Sequence, residues 1–218
     1  MDAEYYLYLL LLFLISLAGV MRYKKLSPAF KTLTILIIAT FVSETIKKII
    51  GKIFHNSMPV AHLWAIGEYA FFSLVYYRLL SGTRTKKLII ASVFFMILLE
   101  IVNIAFFESL LQFPAILLNV SQFIYVLYSL LLFRQMLIQP AEESLFKQSI
   151  FWFNLDMLLF STAMFLNFAL TSYFIKNKLD ATMLIYFSII VNMLFYTVIG
   201  ISILIDNKKY DAVDFCSK

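Results

Sequence analysis

Apolar residues run along this chain in blocks of helix length, at 4–21, 31–50, 61–80, 87–106, 112–133, 148–168 and 182–205. Each block is on the order of 20 residues, the length an α-helix needs to cross a hydrocarbon core. Period-2 alternation is absent, which argues against a transmembrane β-barrel. The breaks between blocks are short. Ser81-Gly82-Thr83-Arg84 is a tight turn that implies antiparallel neighbours, and the 51–60 stretch mixes Gly, Asn, Ser and Pro. The pattern predicts an all-α polytopic membrane bundle of seven transmembrane helices, a single domain over 1–218. Pro28, in the first inter-helix loop at 22–30, is expected to close off helix continuation.

Composition narrows the class. With 62% hydrophobic and 14% charged residues, and a mean hydropathy of +0.89, the chain is neither a soluble globular domain nor a disordered one. Seven spans use most of the 218 residues, so no soluble catalytic domain is expected beside them. The first block lacks a positive leader and is followed by Arg22-Tyr23-Lys24-Lys25, so it reads as a retained helix rather than a signal peptide.

The basic residues set an orientation. With the N-terminus outside, thirteen lysines and arginines fall on the cytoplasmic side (Arg22 to Lys31, Arg78 to Lys87, Arg134, Lys147 and the 208–218 tail) and five fall outside (Lys47, Lys48, Lys52, Lys176, Lys178). That asymmetry predicts an outside N-terminus and a cytoplasmic C-terminus in a cell inner membrane. The net charge of +5 then belongs to loops that meet anionic lipid, and no nucleic-acid partner is expected. Pro140, Glu142 and Glu143 resemble a helix start, with acids complementing the dipole. Cys216, the lone cysteine, reads as a reduced thiol in the cytoplasmic tail.

Four acids change the picture. Glu44, Glu68, Glu100 and Asp156 each interrupt a different apolar block. A carboxylate inside a bilayer is costly unless it is protonated, paired or wetted, so each is a functional-site candidate. At 1.5 Å per residue, Glu44 and Glu68 come about 9 and 10 Å below the outer helix ends. Glu100, Asn103, Asn119 and Gln122 fall in the same outer half, with His62 near the mouth. Trp64, Glu68 and Phe72 make an aromatic–acid–aromatic stripe at i, i+4, i+8. These residues are expected to line an outward-facing polar pocket for a small ligand, with at least two of Glu68, Glu100, Asn119 and Gln122 sharing it. Buried asparagines also serve as interhelical hydrogen-bond glue, and Lys47 or Lys48 can pair with Glu44. Asp156 and Asn154 form a separate pair of polar positions toward the cytoplasmic side.

Several chemistries are excluded. No HExxH, GxSxG, CxxC or Gly-rich phosphate loop occurs, and the last block has no lysine for a retinal Schiff base. His55 and His62 are seven apart, with no acid spaced to complete a metal triad, so neither a metal nor a cofactor is expected. The leading reading is a heptahelical sensor or receptor-like protein without catalysis of its own. A small-solute transporter or channel, and an intramembrane acid–base hydrolase, are the alternatives. Expected partners are the lipid bilayer, a small-molecule ligand, and a signalling protein or a second copy of the chain.

Residues 56–80, NSMPVAHLWAIGEYAFFSLVYYRLL, carry a resemblance. An Asn-rich turn precedes His62 and an aromatic, then Glu68-Tyr69, then Tyr77. With Phe151-Trp152 and Asn192, the stretch resembles small seven-transmembrane-helix membrane proteins of Bacteroidota. That resemblance implies the seven-helix plan with an outside N-terminus, and it brings no activity with it.

Overall fold

The computed structural model describes residues 2–138 and 144–207, and these are helical almost throughout. Among them are seven long helices: α1 (Asp2–Arg22), α2 (Pro28–Phe54), α3 (Met58–Leu79), α4 (Thr83–Phe106), α5 (Ala115–Ile138), α6 (Ser149–Lys176) and α7 (Thr182–Ile205). The expected helix start at Pro140, Glu142 and Glu143 and the tail with Cys216 lie outside the described residues.

Six of the seven helices, all but α2, are long and apolar enough to cross a membrane, which makes this a multi-pass membrane protein. The expectation of seven such spans is therefore met for six. The exception has a visible cause: α2 carries Lys31, Glu44, Lys47, Lys48 and Lys52, more charge than any other helix. Its start also differs from expectation. Pro28 begins a helix instead of stopping one, because a proline at the first helical position gives up no hydrogen bond there. Ser27 caps it, its Oγ accepting from the Phe30 N–H at 3.5 Å.

The helices close into a ring in chain order, with α7 returning to pack on α1. α3 and α5 also touch each other directly, so α4 lies against the seam between them. Small residues permit the tightest approaches. A Cβ on Gly19 would stand 2.6 Å from Thr34 Cγ2, and one on Gly200 would stand 3.1 Å from Ile15. α1 can therefore nest against both α2 and α7. The outward stripe of α1, at Leu7, Leu10, Leu14 and Leu17, is as apolar as the inward one, at Tyr8, Leu12 and Ile15. Lipid requires this of both faces.

The two ends of the bundle are built differently. At the end where α7 stops, the Asp206 carboxylate accepts from the Ser27 N–H at 2.8 Å and from Ser149 Oγ at 2.9 Å. Its carbonyl accepts from Arg22 at 3.1 Å. One buried residue thus holds the ends of α1, α2, α6 and α7 together. In the same half of the bundle, the Tyr76 hydroxyl meets Ser129 Oγ at 2.8 Å and Asn154 Oδ1 at 3.1 Å, while Asn154 Nδ2 donates to the Ser129 carbonyl. Phe160 stacks on Phe195 at 4.0 Å, and Phe72 meets the edge of Tyr125 at 5.4 Å. These rings fill the centre. The opposite end, where α1 begins, is hollow.

Candidate functional site

A cavity of about 740 Å³ occupies that hollow end, walled by α1, α2, α3, α6 and α7, by the α4–α5 connection and by the start of α5 at Leu118. Helices with opposite chain direction supply its floor. α3 and α7 run inward from the mouth and bring Glu68 and Tyr196. α2 and α6 run outward and bring Thr40 and Met164. The rings of Phe72 and Phe160 lie one turn below Glu68 and Met164, and Phe195, next to Tyr196, packs on both of them. The cavity therefore has a mouth at one end of the bundle and a packed aromatic floor.

Two acids face it. Glu44 is held by its neighbours: Lys47 Nζ donates to Oε1, and the Tyr5 hydroxyl donates to Oε2 at 3.0 Å and to the Glu44 carbonyl at 2.9 Å. Lys48, one turn from Glu44, lies instead over the Tyr5 and Tyr6 rings, at 4.9 and 5.5 Å. Glu68 differs. Its carboxyl faces the Tyr196 hydroxyl, with Glu44 and Lys47 in electrostatic range, and it retains surface toward the cavity. Trp64, one turn above Glu68, lines the same wall, and Tyr8 packs on Tyr196 at 5.9 Å.

Of the residues expected to line the pocket, Glu44, Trp64 and Glu68 do so. Glu100, Asn103, Asn119, Gln122 and His62 do not, and the expected sharing of one pocket by two of Glu68, Glu100, Asn119 and Gln122 does not occur in this cavity. Helix rotation is the reason. α4 lies against the α3–α5 seam, and its polar face turns toward the back of α3.

There, His62 Nδ1 meets the Glu100 carboxylate, and Nε2 donates to the Gln112 carbonyl at 3.0 Å. Asn103 Nδ2 donates to Glu100 at 3.4 Å and to Glu108 at 3.1 Å, and Glu108 accepts from the Ile116 N–H at 3.3 Å. These side chains are almost wholly buried. Asn56 Nδ2 adds a bond to the Leu111 carbonyl at 3.2 Å. The cluster pins the α4–α5 connection against α3, and that connection presents Phe113 and Pro114 to the cavity.

Asn119 bonds only the Ala115 carbonyl one turn back, and it and Gln122 each keep a buried side-chain carbonyl oxygen with no partner among the described residues. Asn154 is interhelical glue, as above. Asp156 lies on the far side of the aromatic floor, one carboxyl oxygen buried without a hydrogen-bond partner among the described residues. His55 caps α2 in the left-handed region, at φ 56°. Among the described residues no group of three or more His, Cys, Asp or Glu side chains is placed to hold a metal.

Sequence reasoning missed Tyr5, Tyr8 and Thr40, which line the cavity but interrupt no apolar block as a charge does. It also passed over Glu108, which lies in the α4–α5 connection. Comparison with protein-family models, with curated proteins and with solved structures finds no match for this chain.

Proposed function

We propose that this chain is a heptahelical receptor-like membrane protein that takes a small ligand into the cavity from the outer face. In this reading α2 crosses the bilayer with the other six helices, the N-terminus is outside and the C-terminus is cytoplasmic. Two features support the topology: the thirteen-to-five asymmetry of basic residues and the clustering of most α2 charge near its last turns, where it faces the cavity rather than lipid.

The observation that carries the reading is the blind cavity itself, with its mouth at the α1-start end and a carboxylate at its floor. Its volume falls within the range of small-molecule sites, about 300–1,000 Å³. Its walls are mainly apolar, with a few convergent polar groups. Glu44, the other acid of the cavity among the described residues, is tied to Lys47 and Tyr5, which supports binding over hydrolysis. Any response has to pass through the inner loops to a partner protein or a second copy of the chain.

Thiol labelling tests this. Native Cys216 is expected to react with a membrane-impermeant maleimide only after permeabilisation. In a Cys216→Ser background, Ser57→Cys at the mouth is expected to react on intact cells. The reverse pattern would invert the topology and the function with it.

A small-solute transporter is the second reading, favoured by Asp156, a carboxyl beyond the floor with one oxygen unpartnered among the described residues. Thr40→Cys at the floor separates the two readings. Labelling both on intact cells and in inside-out vesicles indicates alternating access.

A further inference from the structure

The charges around the cavity are answered within the protein. Lys47 and the Tyr5 hydroxyl take the two carboxylate oxygens of Glu44. Lys48 lies over the Tyr5 and Tyr6 rings, and Glu68 faces the Tyr196 hydroxyl with Lys47 in electrostatic range. Lys52, in the last turn of α2, is exposed at the mouth. A charged ligand would have to displace one of these partners or give up its hydration for no counter-group, and either is costly. The walls also differ from side to side. Across the ring from the charged residues of α2, the start of α5, α6 and the outer half of α7 present Leu118, Met164, Phe168, Ile185 and Ile189, continued at the mouth by Pro114. The Ser188 hydroxyl on this side is already engaged, donating to the Leu184 carbonyl at 3.1 Å and accepting from Asn167 at 2.6 Å. Asn192 is different. It lines the cavity, its Nδ2 donates to the Ser188 carbonyl at 2.8 Å, and its Oδ1 accepts no hydrogen bond among the described residues.

Taking the cavity as a ligand site, we propose that its occupant is an uncharged amphiphile with a hydroxyl head and an apolar body, of the kind an isoprenoid alcohol presents. The head donates to Asn192 Oδ1, the open acceptor of the lining. The body lies along Ile189, Ile185 and Phe168 toward the mouth and covers the apolar side. α7 runs inward from the mouth, so at 1.5 Å per residue Asn192 lies about 10 Å below Ile185, which gives the body its length. Covering that wall is the main source of affinity, and the single polar contact fixes the orientation. A sugar would supply the donor but leave the wall uncovered. A fatty acid or an alkylamine would cover the wall but bring a charge for which the cavity holds no spare counter-group. Those mismatches are what discriminate.

The test uses the full chain in lipid nanodiscs and four probes that share one body: farnesol, its methyl ether, farnesylamine and farnesoic acid. The measurements are made at about pH 8, where the amine and the acid are both charged. Trp64 lines the cavity and Trp152 is the only other tryptophan, so fluorescence in a Trp152→Phe background reports on the site. Empty nanodiscs correct for partition into lipid. Farnesol is expected to bind saturably, and the amine and the acid to bind at least about 10-fold more weakly, since each brings a charge that finds no spare partner. The methyl ether, which cannot donate, is expected to lose about 5-fold, as for one hydrogen bond. Asn192→Leu should bring farnesol and its ether to the same affinity. Binding of the amine or the acid as tight as that of farnesol overturns the proposal. So does equal binding of farnesol and its ether by the native side chain, or a difference between them that persists in Asn192→Leu. Failure of all four probes while Ser57→Cys remains accessible removes the uncharged amphiphile and leaves the ligand cavity standing. An inaccessible Ser57→Cys removes both.

Discussion

Glu68 and Glu100 lie in the same half of the bundle, on helices that follow one another in the chain, yet their surroundings are opposite. Glu100 is met by an imidazole and an amide from two directions and has almost no surface left. Glu68 faces one tyrosine hydroxyl, has Glu44 and Lys47 in electrostatic range, and keeps surface toward the cavity. A carboxylate held on all sides is part of the scaffold, whereas one aimed into a cavity has capacity to spare for something else. Two residues of identical chemistry thus take different roles because their helices are rotated differently.

The largest expected effect comes from the scaffold acid. Glu100→Ala leaves His62 and Asn103 buried without their partner and should cost about 3–5 kcal/mol, as breaking a buried pair does. Thermal unfolding in detergent micelles measures this directly. Equal stability of Glu100→Ala and the native protein would erase the distinction drawn here.

Asp206 sharpens the comparison at the other end of the bundle. Asp206→Ala removes the acceptor for the Ser27 N–H and the Ser149 hydroxyl, and it is expected to cost about 2–3 kcal/mol. Glu68→Ala, by contrast, should change stability by less than about 1 kcal/mol, since it removes no buried partner's bond beyond that of Tyr196. A larger loss at Glu68 than at Asp206 would make the cavity acid a packing group.

The smallest effect belongs to Asp180, an exposed acid in the turn before α7. Its carboxylate accepts from the Thr182 N–H at 2.9 Å, and the bonds from Thr182 hold its pKa below the ordinary carboxylate value. A depressed pKa means that the stabilisation is present above the unfolded value and is lost as pH falls through the folded one. Amide exchange at Thr182 should therefore remain protected through the usual carboxyl range and lose protection only in stronger acid. Asp180→Ala should remove that dependence.

The fold was legible because lipid leaves the chain few options. Each long apolar block became a helix, and 182–205 matches α7 end to end. The site was legible in one coordinate only. Depth follows from counting residues along a helix, and it placed Glu68 and Glu100 together. Rotation about the helix axis does not follow from counting when most of the surface is apolar: Glu100 and Asn103 mark one edge of α4, but nothing in the spacing says which neighbouring helix that edge meets. The lysines of α2 illustrate the same limit. Glu44 has basic neighbours at i+3 and i+4, and only the structure shows that Lys47 takes the carboxylate while Lys48 stacks on tyrosines. The hub role of Asp206 had no local signal at all, since its partners are Arg22, Ser27 and Ser149.

The cluster around His62 has a consequence beyond stability. By fastening the α4–α5 connection at Glu108, Leu111 and Gln112, it holds Phe113 and Pro114 in place as one side of the mouth. The conformational entropy of ordering that wall is lost when the chain folds, so an incoming molecule meets a rim already shaped. Loosening the fastening, for instance with Asn56→Ala, would leave every lining residue intact and still weaken binding, because part of the ordering would then fall on the encounter itself.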